Sequence, residues 1–216
     1  MKRPHFSIKE VKKIIGKEQP KLVFIAGKTC VGKSTFARDL KIWEYEHLEL
    51  DLVVRESVIK RFGVLNPNEA FLVYKGIAPE NWQKSFEKAT HKLIEERLKF
   101  SKVVVDAALA DVGVLKRVFS KKLDNFFCVY IHPFSRDFYY KNIFNRFVND
   151  AKNNTRSFPI WDYVTPEVFD DYQINGNQGL MINQVVYQYA DESTKLSKER
   201  FELFEKAYPK IILTGN

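Results

Sequence analysis

Eight consecutive residues near the N-terminus carry the clearest chemistry in the chain. Gly27-Lys28-Thr29-Cys30-Val31-Gly32-Lys33-Ser34 fits G-x-x-x-x-G-K-[ST] without exception, and Thr35 follows. The physical reason for the pattern is anion binding. Successive backbone N–H groups in such a loop converge on one point, and the partial positive charge of the following helix N-terminus adds to them. Gly27 and Gly32 permit a close approach and backbone angles that a Cβ would forbid. Lys33 is placed to reach the β- and γ-phosphates of a nucleotide, and Ser34 to supply an oxygen to Mg²⁺. A nucleotide and Mg²⁺ are therefore the expected ligands, ATP foremost with the choice between ATP and GTP open, and Gly27 through Thr35 are the expected nucleotide-binding residues.

Phosphoryl transfer also needs one carboxylate to orient or deprotonate an attacking hydroxyl and another to hold Mg²⁺. In open parallel sheets the ligand lies beyond the carboxyl ends of the strands. Asp51 follows the apolar segment His47-Leu48-Glu49-Leu50 and is the candidate base; Asp106 follows Val103-Val104-Val105 and is the candidate metal partner. Either acid can alternatively be a plain strand-end helix cap. Arg55, four residues after Asp51, is a candidate for the substrate side, or a partner for Asp51. A later basic cluster, Arg136, Lys141, Arg146, Lys152 and Arg156, suits a lid whose guanidinium groups neutralise charge on the transferring group. Arg146 and Arg156 are its expected catalytic members.

These residues must be positioned by a folded scaffold. The chain has 216 residues, 45% hydrophobic and 29% charged, which excludes a disordered, collagen-like or coiled-coil protein. The length suits a single domain, 1–216, with a basic helix in 1–20 and a lid region over about 136–165. A net charge of +8 suits a protein that handles phosphates, on nucleotides or on nucleic acid. Ser7 and Glu10 form a capping-box pattern for a first helix that Gly16 is expected to end. Strands are expected at Leu22–Ala26, within His47–Val54, at Val103–Val105, at Phe126–Ile131 and at Ile211–Leu213. Helices are expected after the glycine loop, from Pro79 to about Leu98, from a cap at Asp111, and from Ser135 to about Val148. Two more are expected around Ile182–Tyr189 and Lys198–Tyr208, while 61–78 and 150–162 read as irregular. Strands alternating with helices imply an α/β fold with a mostly parallel sheet.

The strand–loop–helix segment, with Gly32-Lys33-Ser34-Thr35-Phe36-Ala37-Arg38, resembles the P-loop kinase superfamily. One branch it resembles is the uridine-kinase-like group, which places a catalytic Asp after the second strand, where Asp51 stands, and carries a lid reading R-x-x-R-D-x-x-x-R-G-R. Arg146, Asp150 and Arg156 keep that spacing, with Asn149 and Asn154 in place of two arginines; Tyr208-Pro209-Lys210-Ile211-Ile212-Leu213 is similar to the closing strand. The other branch is that of polynucleotide 5′-kinases and zeta-toxin-like kinases, which Asp51 and Arg55 resemble as a pair. The resemblance implies a P-loop NTPase three-layer α/β/α sandwich, with a mostly parallel five-stranded sheet and a helical lid. It implies a kinase moving the γ-phosphoryl group to a small-molecule hydroxyl acceptor, a nucleoside or sugar foremost. Alternatives are a nucleic-acid 5′-hydroxyl end, a nucleotide-sugar, and a non-catalytic ATP-binding switch.

The remaining residues read more plainly. No N-K-x-D or L-S-G-G-Q motif is present, which disfavours a GTPase or a transporter ATPase. Cys30 and Cys128 make no disulfide framework. Cys30, beside Lys33 and a helix start, is expected to have a lowered pKa and to be open to oxidation. Trp161 and Tyr163 are candidates for stacking on a base, or for packing. His91 and His132 lack ligand partners at metal spacing and read as structural. Lys2 and Arg3 precede no long apolar stretch, so no secretory leader, no membrane partner and a cytoplasmic setting are expected. The oligomeric state is open at this point.

Overall fold

The structure, a computed structural model, describes residues 5–63, 80–107, 126–153, 159–208 and 211–215. Six strands form one sheet: β1 (Phe6–Ser7), β2 (Leu22–Gly27), β3 (Tyr45–Glu49), β4 (Lys102–Ala107), β5 (Phe126–Ile131) and β6 (Ile212–Gly215). Their order is β1-β6-β5-β2-β4-β3, and every pairing is parallel. The helices are α1 (Ile8–Glu18), α2 (Lys33–Asp39), α3 (Leu50–Phe62), α4 (Glu80–Arg97), α5 (Arg136–Lys152), α6 (Pro166–Asn175) and α7 (Gly179–Ala207). Short 3-10 turns cover Leu40–Trp43 and Pro159–Asp162.

The sheet is covered on both faces, and β2 shows why its sequence is a continuous apolar run. All six of its residues are buried. Val23 and Ile25 join an apolar cluster with α1, α2 and α5. Leu22, Phe24 and Ala26, pointing the other way, join a second cluster with Leu50 of α3, Ile94 of α4 and Phe204 of α7. From β2 the chain passes to the edge strand β3, returns to β4 beside β2, then crosses to β5 on the opposite side. The loop after β2 thus stands where the strand order reverses, the usual ligand position in such sheets.

Several expectations are corrected. Among the described residues the sheet has six strands, where five were expected: β1 spans two residues, too few for a periodic signal, and is held by Thr214 Oγ1 donating to Phe6 O at 2.8 Å. The Ser7–Glu10 capping box is present, but α1 runs through Gly16 to Glu18. Gly16 is there for space: a Cβ on it would lie 2.7 Å from Trp43 Cε2. The strand expected within His47–Val54 is β3, Tyr45–Glu49, and a helix begins at Leu50. Val53 and Val54 look like strand residues in sequence, yet belong to α3. Helix α5 continues to Lys152, so Asp150 is a buried helical residue and not part of a turn. The two late helical patterns are one 29-residue helix, α7. Helix α6, capped by Thr165, was not anticipated. The helix expected from Asp111 and most of the irregular 61–78 stretch lie outside the described residues. Among the described residues no helix is long and apolar enough to cross a membrane.

Candidate functional site

The glycine loop leaves β2 at Gly27, whose φ is +147°. A Cβ there would lie 2.5 Å from Ile131 O on the neighbouring β5, so both the angle and the space require glycine. Cys30 and Gly32 also have positive φ, +65° and +96°. Backbone that alternates hand in this way turns successive N–H groups toward one side. Gly32 forms the N-cap of α2 without a side-chain cap, and Val31 is buried beneath. Lys33 is nearly buried, and its Nζ donates to Lys28 O at 2.9 Å, drawing the ammonium across the loop. Thr35 Oγ1 accepts from Arg38 at 3.3 Å, and Arg38 Nε also donates to Ser34 O at 3.2 Å.

Ser34 and Asp106, 72 residues apart in sequence, meet. The Ser34 hydroxyl donates to Asp106 Oδ2 at 2.7 Å. The parallel pairing of β2 with β4 sets Ile25 against Asp106, so the β4 carboxylate comes level with the start of the loop. Asp106 is 2% exposed. Its second oxygen, Oδ1, lies 3.3 Å from His47 Nε2 on β3, and neither atom makes a hydrogen bond among the described residues. A buried carboxylate oxygen in that state is a place for a cation or an ordered water. The donor set fits Mg²⁺: hard oxygens from one hydroxyl and one carboxylate, for an ion that keeps several waters and takes other ligands from phosphates. Among the described residues no group of three or more His, Cys, Asp and Glu forms a self-sufficient metal cage.

One face of α5 is turned to the loop. Tyr139 Oη donates to Thr29 O at 3.1 Å, and Asn142 Nδ2 donates to Cys30 O at 3.1 Å. Arg146, one turn further on, is close enough to Cys30 to pull its thiol pKa down, as Lys33 does. Burial outweighs both and pushes the Cys30 thiol up to about 11. The expected lowering of the Cys30 pKa is corrected: its neighbours are positive as foreseen, but desolvation of this partly exposed thiol acts the other way and is larger. Arg146 Nε stands 4.0 Å from Asp150 Oδ1, with the arginine mostly exposed and the carboxylate buried.

The other candidates are placed less closely. Asp51 is the second residue of α3, two positions beyond the end of β3, and Arg55 lies on the same helix. The side chains of both fall outside the described residues, as does the whole of Arg156. Trp161 packs against Phe147 and Phe169, with ring centroids 4.5 and 5.5 Å away, and belongs to the core; Tyr163 is exposed. His132 Nδ1 and Ser197 Oγ are 3.0 Å apart, and His91 pairs with Glu95 one turn along α4. Sequence reasoning missed His47, Tyr139 and Asn142. The last two carried a signal: 139, 142, 146 and 150 recur at helical spacing, so the residues that resemble a lid share a face with them. His47 had none, since its relevance depends on which strand lies beside β4. No family model matches the chain, and no curated protein matches it in sequence.

Proposed function

We propose that the chain is an ATP- and Mg²⁺-dependent phosphotransferase of the P-loop kinase type, moving the γ-phosphoryl group to a hydroxyl of a nucleoside or sugar. The observation that carries this reading is the 2.7 Å bond from Ser34 to the buried Asp106 at the strand-order reversal, beside the glycine loop. It marks a position for Mg²⁺ beside the loop, the metal that a phosphotransferase needs. Ser34 and Asp106 would hold Mg²⁺, which supplies positive charge against the triphosphate when bound. The loop amides and Lys33 bind the phosphates. Asp51 accepts the proton of the acceptor hydroxyl as its oxygen bonds to the γ-phosphorus, and the bond to the bridging oxygen breaks to leave ADP. Arg146 and Arg156 on the lid neutralise the charge that develops. The unpaired Cys30 and Cys128 fit a reducing, cytoplasmic setting.

The net charge of +8 favours one second reading, a nucleic-acid 5′-hydroxyl as acceptor. A transfer screen with γ-labelled ATP and Mg²⁺ tests both, using pooled nucleosides, pooled sugars, nucleotide-sugars and a 5′-hydroxyl oligonucleotide. Lys33→Ala serves as the blank. Label in one pool names the acceptor class; tight ATP binding with label in none refutes transfer to these acceptors and favours an ATP-responsive switch. In an active enzyme, Asp51→Asn is expected to bind ATP normally and to slow transfer by about 10²-fold or more. Full activity in that variant removes Asp51 from the mechanism.

A further inference from the structure

The nucleotide loop is gripped from outside by α5, at two carbonyls that no phosphate would touch. A trans peptide is planar, with its C=O and N–H pointing in opposite directions. The Thr29 carbonyl shares its plane with the Cys30 N–H, and the Cys30 carbonyl with the Val31 N–H. Tyr139 and Asn142 each draw one of these carbonyls toward α5 at 3.1 Å, so the two N–H groups are turned away from it. Left unheld, either plane is free to rotate and present an oxygen to a bound anion.

We propose that Tyr139 and Asn142 are positioning residues that hold the glycine loop in its anion-accepting form. The inference rests on the nucleotide reading above and adds to it the element that preorganises the loop. The grip is itself braced. Arg136 makes paired 2.8 Å bonds to Asp191, and Tyr140 Oη donates to Asn183 Oδ1 at 2.6 Å. Adjacent tyrosines on α5 therefore do different work: Tyr139 bonds the loop, whereas Tyr140 ties α5 to α7.

That contrast supplies the test. Calorimetric titration with Mg·ATP and unliganded thermal melting are measured on the wild type, Tyr139→Phe, Asn142→Ala and Tyr140→Phe. Tyr139→Phe and Asn142→Ala should each weaken Mg·ATP by about fivefold, the worth of one ordinary hydrogen bond. Combined, they should weaken it by about 25-fold if they act independently. Tyr140→Phe should lower the melting temperature yet leave the affinity within about twofold of wild type. Wild-type affinity in both Tyr139→Phe and Asn142→Ala overturns the inference while leaving the nucleotide reading intact. An affinity that merely tracks melting temperature across all three variants overturns it too, since α5 would then act only as scaffold. Failure of the wild type to bind Mg·ATP overturns the nucleotide reading, and this inference with it.

Discussion

Replacing Asp106 by Asn should separate binding from folding. The carboxylate is 2% exposed, accepts from Ser34 Oγ at 2.7 Å and has its other oxygen 3.3 Å from His47 Nε2. Asparagine has nearly the same shape. Its amide oxygen can still accept from Ser34, and its NH₂ takes the place of the oxygen that faces His47 Nε2. A charged hydrogen bond is exchanged for a neutral one, and the cost of burying the charge is removed, so stability should stay within about 1.5 kcal/mol of wild type. Binding is affected far more. A divalent ion about 4 Å from a carboxylate is attracted by about 8 kcal/mol at an effective dielectric of 20. Ion dehydration and phosphate contacts offset most of that, leaving an expected loss of about 3 kcal/mol, more than 100-fold in Mg·ATP affinity. Without Mg²⁺ the sign reverses: losing a negative charge beside the loop should tighten binding of free ATP. Calorimetric titration with Mg²⁺ and with EDTA, alongside thermal melting, reads all three quantities. Wild-type Mg·ATP affinity, or an equal loss with and without Mg²⁺, would refute the placing of Asp106 at the metal.

Other consequences can be checked more briefly. Gly27→Ala combines a φ of +147° with a Cβ 2.5 Å from Ile131 O, so a loss of about 3 kcal/mol is expected. Thermal melting should fall by about 6–12 °C; an unchanged melting point would show that the loop entry is not strained. With its thiol pushed up to about 11, Cys30 should alkylate about 100-fold more slowly at pH 7.5 than an ordinary cysteine through ionisation alone. The iodoacetamide rate should keep climbing above pH 9, whereas a plateau near pH 8 would contradict the burial. Burial, aided by the charges of His5 and Lys198, lowers the His132 pKa. The unfolded chain therefore takes up that proton more readily, and stability present at pH 7.5 should decline as pH falls through about 6.5. Urea midpoints at pH 7.5 and 5.5 should differ more in wild type than in His132→Asn; equal differences would exclude His132 as the cause.

What could be read from sequence depended on how local each signal was. Phe126–Ile131 is strand from end to end as expected, because six strand-forming residues stand between polar neighbours. The glycine loop was legible for a similar reason: its motif is contiguous, and an apolar strand leads into it. Asp106 could be nominated from its strand-end position, but its bond to Ser34 depends on β4 pairing directly with β2, which no local pattern encodes. Leu50–Val54 reads as strand but is helix, because valines next to a short strand look the same in either. The Cys30 pKa was misjudged because nearby charges show in sequence while burial does not.

Helix α7 has a consequence for how the molecule comes apart. Its 29 residues extend about 43 Å. Ile182, Val186 and Ala190 belong to the apolar cluster on one face of the sheet, whereas Phe204 belongs to the cluster on the other. Between them Ser193 and Ser197 are buried, and Tyr130 Oη donates to Ser197 O at 2.9 Å, fastening the helix to the carboxyl end of β5. Two layers that would otherwise open separately are threaded on one cooperative rod, so fraying at either end is transmitted toward the other. Amide exchange along α7 should therefore report a single opening energy from Ile182 to Phe204. The grip of α5 on the loop then draws its rigidity from both faces of the sheet.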